Sequence, residues 1–207
     1  MAPRPTLVRE RAAWADSCLL VGIDEVGRGP LAGPVVAAAV VFPPGTKAVR
    51  GLRDSKILPA GRREQLSIVI RRRAIRVTLG AASVREIDRY NIRVATAIAM
   101  RRALERALPG LSSYRIIIDG LPLREIGHDH EALVDGDAHC HSIAAAGVVA
   151  KTVRDRLMRR LALRHPGYGW TTNAGYGTPE HHDGLNRLGP CCHHRQTFAP
   201  IAQLAIW

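Results

Sequence analysis

A chain of 207 residues, 46% of them hydrophobic and 23% charged, is long enough to bury a sizeable core and has neither a disordered nor a collagen-like nor a disulfide-stapled composition. Its longest apolar stretch, residues 31–42, is interrupted by Gly33 and Pro34, and charged residues break up the leader, so no membrane association is expected and the cytoplasm is the expected location. The formal charge of +12, from 30 basic against 18 acidic residues, attracts polyanions and makes nucleic acid the first partner to consider.

Residues 19–24 predict a short buried strand, and residues 35–42 a second one after a Gly/Pro-rich turn, which suits an antiparallel pair. Residues 59–73 carry Leu66, Val69 and Ile70 at helical spacing, and residues 75–82 predict a third strand. An amphipathic helix is predicted over residues 91–108, where Ile92, Ala95, Ala99, Met100, Ala103 and Ala107 share one face. Residues 114–118 predict another buried strand, running into Asp119 and stopped by Gly120 and Pro122. Residues 143–163 predict a long helix whose small residues let its first half lie close to a sheet. Residues 165–178, rich in Gly, Tyr and Thr, are expected to be irregular, as a functional loop or a poorly packed linker. A short helix is predicted over 179–187, with Pro179 in its first turn. The order of elements predicts an α/β fold, a mixed sheet with helices on its faces.

Acids stand where these strands end. Asp24 and Glu25 lie at the end of the first strand, Asp119 follows Ile116, Ile117 and Ile118, and Asp137 precedes the long helix. A carboxylate at the end of a buried strand is costly unless it faces solvent or holds a cation. Taken singly, each acid is better read as a turn former or helix cap. Converging from separate segments, they supply the oxygen ligands that Mg²⁺ or Mn²⁺ require, and two such ions suit phosphodiester hydrolysis. Phosphate-binding, esterase and dinucleotide fingerprints are absent from the sequence. The cysteines and histidines in His139-Cys140-His141 and Cys191-Cys192-His193-His194 lack structural-zinc spacing, so only adventitious metal affinity is expected there.

The run from Gly22 through Asp24, Glu25, Gly27, Arg28, Gly29 and Pro30 to Pro34 resembles the type 2 ribonucleases H, the bacterial ribonuclease HII family. Asp54-Ser55-Lys56, Ile118-Asp119-Gly120, Gly136-Asp137, Ala150-Lys151 with Arg154-Asp155, and Gly175-Tyr176-Gly177-Thr178 extend the likeness in order to about residue 200. The resemblance implies a ribonuclease H-like mixed sheet flanked by helices, with a helical C-terminal part. It also implies a single domain, with a catalytic core at about 19–163 and a substrate-contacting segment at about 164–207. The implied activity is endonucleolytic hydrolysis of RNA in RNA/DNA hybrids and at single ribonucleotides in duplex DNA, leaving 5′-phosphate and 3′-hydroxyl ends.

By the family's motifs, Asp24, Glu25 and Asp119 would hold metal, Mn²⁺ or Mg²⁺ in a two-metal site, and Asp137 would complete the four carboxylates. Asp155 competes for that fourth place, although its spacing from Lys151 also suits an ion pair. Gly27, Arg28 and Gly29 would read the ribose 2′-hydroxyl, and Tyr176 would stack on the sugar at the RNA-to-DNA junction. Lys56 and Lys151 would meet phosphates or carboxylates. Ala144, Gly147, Asp135 and Ala174 depart from the family's usual residues, and none is an implied metal ligand. A metal-dependent DNA nuclease of similar fold and a noncatalytic nucleic-acid-binding module remain open at this point.

Overall fold

The structure, a computed structural model, describes residues 4–204. Five strands, β1 (Leu19–Val26), β2 (Val35–Val41), β3 (Arg76–Ala82), β4 (Tyr114–Asp119) and β5 (Glu131–Leu133), form one sheet in the order β3-β2-β1-β4-β5. The β1–β2 and β2–β3 pairs are antiparallel, whereas β1–β4 and β4–β5 are parallel, so the sheet is mixed as the sequence predicts. The helices are α1 (Val8–Ala15), α2 (Ala60–Arg73), α3 (Val84–Ala107), α4 (Gly136–His139), α5 (His141–Arg164), α6 (Trp170–Asn173), α7 (Pro179–Leu188) and α8 (Ala199–Leu204). None among the described residues is long and apolar enough to cross a membrane.

The two-residue period of the strands divides the core between the faces. Val21 and Ile23 of β1 and Val35, Ala37, Ala39 and Val41 of β2 pack with Ala95, Ala99, Met100 and Ala103 of α3. The alternate residues Val36, Ala38 and Val40 pack with the small residues of α5 and with Leu66 and Ile70 of α2. Every side chain of β2 is thereby buried, which is why residues 35–41 read as a continuous apolar run and not as an alternating one.

Three departures from the sequence reading have local causes. Ahead of the helix predicted over 91–108, an additional helical segment begins at Val84, because Ser83 and Glu86 make a reciprocal capping box. Asn91 then breaks it with φ 68°, and its Oδ1 accepts from the N–H groups of Arg93 and Val94 at 2.9 and 3.1 Å, starting a second helical segment. Residues 165–178 are not a poorly packed linker. They contain α6, and Tyr168 and Trp170 are buried with Leu31, Ala32, Met158 and Leu185. Helix α1 is too short and too polar to stand out in sequence. It is held by Glu10, whose buried Oε1 accepts from Ser142 N–H and Oγ, both at 2.7 Å, at the start of α5, where the helix dipole favours an anion.

Candidate active site

The parallel register pairs Ile23 of β1 with Ile118 of β4, so the next residues, Asp24 and Asp119, stand side by side at the ends of the two central strands. Asp24 shares its face with Val26, and Asp119 with Ile117, and both faces are turned toward α5. The alternation sends Glu25 to the opposite side, where its Oε1 accepts from Arg28 Nη1 at 3.3 Å. Asp119 Oδ1 accepts from Gly136 N–H at 2.7 Å, which fixes the start of α4 and with it the neighbouring Asp137.

Burial and mutual repulsion make these acids reluctant to ionise together. Burial raises Asp24, only 7% exposed, well above the usual carboxylate range, and Glu25, Asp119 and Asp137 push it further. Glu25 and Asp119 are raised chiefly by burial, partly offset by Arg28 in the first case and by Gly136 N–H and Lys56 in the second. Asp137 is pushed up to about 6 by burial, by Asp54 and by Asp119. Lys56 answers this field. Burial acts to lower its pKa, but Asp54, Asp24, Asp137 and Asp119 together leave it raised.

An all-oxygen donor set whose charges repel one another fits a hard divalent ion. A second observation agrees: a Cβ at Gly147 of α5 would collide with Asp24 Oδ2, so the glycine leaves the carboxylate room to face the acid cluster. Asp24, Glu25, Asp119 and Asp137 are therefore one electrostatic cluster, with Lys56 beside it. Asp155 is not part of it, because its two oxygens accept from Lys151 Nζ at 2.6 Å and Arg63 Nη2 at 2.8 Å. Lys151 is held in that pair, in a pocket that Arg63, Arg159, Thr171 and Thr172 also line.

The turn at 27–29 is braced from behind. Gly27 has φ +94°, a conformation that disfavours a side chain, and a Cβ there would collide with Arg154 Nε. Arg154, fully buried, donates to the carbonyls of Pro34, Ala174 and Ala32 at 2.9, 2.9 and 3.0 Å. Arg195, also fully buried, donates to the carbonyls of Gly33, Arg28 and Gly27 at 2.8, 2.8 and 2.5 Å. Burial and the neighbouring Arg154 lower Arg195 to about 9, still above neutrality. The Tyr176 ring is 41% exposed and lies against Gly29, 3.8 Å from where a Cβ there would stand.

Sequence reasoning missed Asp54, Arg195 and Glu10. Asp54 lies beside Lys56 in a motif quoted for other reasons, and its Oδ1 accepts from Lys56 N–H at 2.8 Å. Arg195 carries no sequence signal, being one arginine among many whose role depends on carbonyls more than 160 residues away.

A mixed sheet with carboxylates at the ends of its two central strands, faced by a long helix, defines a ribonuclease H-like nuclease. The family model described as Ribonuclease HII matches residues 21–200. The chain belongs to the ribonuclease HII family and is a ribonuclease H endonuclease. It is 51% identical over 198 residues to a ribonuclease HII of Cereibacter sphaeroides, covering 95% of this chain and 92% of that one. To the ribonuclease HII of Synechococcus sp. it is 48% identical over 204 residues, covering 97% and 91%. Among solved structures it is similar to ribonuclease H2 from Pyrococcus horikoshii, with TM-score 0.74, 24% identity and coverage of 90% and 96%. Bst-RNase HIII in complex with Mn²⁺ shares the fold at TM-score 0.66 and 20% identity, covering 92% of this chain and 70% of that one. Enzymes of this family depend on divalent metal ions and act on RNA/DNA substrates.

Proposed function

We propose that the chain cuts the RNA strand of RNA/DNA hybrids and the backbone at single ribonucleotides in duplex DNA, leaving 5′-phosphate and 3′-hydroxyl ends. The observation that carries this reading is the side-by-side placing of Asp24 and Asp119 under α5, with Asp137 fixed over them by Gly136. Asp24, Glu25 and Asp119 would hold Mg²⁺ or Mn²⁺, with Asp137 completing the set. Two such ions, when bound, activate the attacking water and stabilise the leaving oxygen.

The rest of the work falls to the chain itself. Arg195 occupies the Gly27 and Arg28 carbonyls of the turn at 27–29 from the buried side, and Arg154 holds those of Ala32 and Pro34 just beyond it, which leaves the turn's outer face to meet a sugar edge. The 2′-hydroxyl is the group that distinguishes RNA there. Tyr176, exposed beside Gly29, would stack on the adjoining deoxyribose. Lys56 would receive a phosphate at the acid cluster, and the basic pocket around Lys151 would receive one farther along the backbone. In this reading the chain is one domain, with residues 164–207 contributing substrate contacts to a core at 19–163, and it works in the cytoplasm.

The test is cleavage of three matched duplexes, all-DNA, DNA with one ribonucleotide, and RNA/DNA hybrid, each with Mg²⁺, with Mn²⁺ and with chelator. Metal-dependent cutting of the second and third, and none of the first, is expected. Cutting of the all-DNA duplex would make the chain a DNA nuclease instead.

A further inference from the structure

Away from the acids, the end of α5 and the segment after α7 meet. His165 is the residue that caps α5, and Cys192 and His193 lie 27 and 28 residues further on. One ring nitrogen of each histidine and the Cys192 sulfur all lie within 4.8 Å of one another, the one such group of three metal-ligating atoms among the described residues. We propose that His165, Cys192 and His193 form a binding site for a borderline-soft divalent ion of the zinc class, separate from the acid cluster. The expectation of merely adventitious affinity considered sequence neighbours alone, and it is His165, brought in by the fold, that completes the set.

Three features support a site. The donors are two imidazoles and a thiol, a set that selects zinc-like ions over the oxygen-seeking Mg²⁺ and Mn²⁺. Ligand atoms around tetrahedral zinc stand about 3.3 to 3.8 Å apart, so the three need to close by at most about 1.5 Å. Cys192 is exposed and free of any disulfide, so rotation of its side chain can supply that closure, the thiol proton leaving to solvent. The two histidines are already set by packing. Their rings meet edge to face at 4.8 Å, against a Trp170 whose ring lies 6.0 Å from His165 and 6.4 Å from His193. Trp170 is itself buried and donates from Nε1 to His181 at 3.1 Å, a firm wall behind the site. Three protein ligands leave the fourth position to water on the solvent side.

Binding there would reach the substrate turn. The His193 carbonyl accepts from Gly33 N–H at 2.9 Å, and Arg195, two residues on, holds the carbonyls of Gly27 and Arg28. An ion at Cys192 and His193 therefore fastens this bracing segment to α5 and stabilises the folded state by mass action.

The experiment measures Zn²⁺ binding to the full chain by competition with a chromophoric chelator, in excess Mg²⁺ so that the carboxylates are occupied, and records the Co²⁺ spectrum. The expected result is one equivalent of Zn²⁺, a thiolate-to-Co²⁺ charge-transfer band, and a rise in melting temperature on adding Zn²⁺. Cys192→Ser and His165→Ala should each weaken binding at least about tenfold and diminish the melting shift, the Ser variant also losing the band. Cys191→Ser, whose sulfur is outside the group, should bind as the parent does. Equal binding by parent, Cys192→Ser and His165→Ala, no charge-transfer band in the parent, or affinity that falls with Asp24→Asn instead, would each overturn the proposal. Both replaced side chains lie at or near the surface, so the variants fold, which circular dichroism verifies.

Discussion

Tyr176 carries the junction reading at the scale of a single residue. Its ring is exposed beside Gly29, where a core aromatic would have been covered, so its loss should be felt by substrate more than by the fold. Stacking of an aromatic ring on nucleic acid contributes about 1 to 3 kcal/mol, and Tyr176→Ala should slow cleavage at a single embedded ribonucleotide by about tenfold to a hundredfold. Tyr176→Phe keeps the ring and should lose little. Single-turnover rates on the one-ribonucleotide duplex and on a continuous hybrid check this, and equal losses on both substrates would remove Tyr176 from junction recognition. At this scale the sequence makes the acids legible, because Asp24 and Asp119 each end an apolar run and a buried carboxylate needs a reason. Asp54 and Arg195 are not legible. Nothing local distinguishes Arg195 from the exposed arginines, and the carbonyls it serves are set by the tertiary fold alone.

Among the elements, the strands and long helices follow from their periods, while what joins them does not. Residues 35–41 announce a doubly covered strand and the Ala-rich start of α5 announces a close approach to the sheet, and both come out so. The split of α3 at Asn91 depends on one side chain capping the following segment, and β5 has only three residues, too few for a period to show. The C-terminal segment misleads because its Gly and Thr content signals irregular chain, whereas Trp170 and Tyr168 build a small core against Leu31 and Met158. That core and Arg195 together connect the end of the chain to the turn at 27–29. Arg195→Met should therefore strand buried carbonyls of Gly27, Arg28 and Gly33 and lower unfolding stability by about 3 to 5 kcal/mol. Chemical denaturation checks the effect. A change under about 1 kcal/mol would mean that the turn holds its shape without this brace.

For the molecule as a whole, the charge distribution serves two tasks. An excess of 12 positive charges draws a polyanion from any direction, while a small cluster of acids at the sheet end stands apart within that field. In the proposed reading attraction and chemistry therefore reside in different residues and can be separated. Replacing Asp24 or Asp119 by Asn removes a charge that burial already disfavours, so each variant should fold at least as well as the parent. The most direct measurement pairs binding with cleavage for Asp24→Asn and Asp119→Asn on a duplex carrying one ribonucleotide, at saturating Mn²⁺. Binding should persist and weaken with added salt, as the phosphate contacts of the basic surface require. Cleavage should fall by at least about a thousandfold, roughly 4 kcal/mol of barrier. Near-parental turnover in either purified variant would contradict the assignment of the reaction to the carboxylates of β1 and β4.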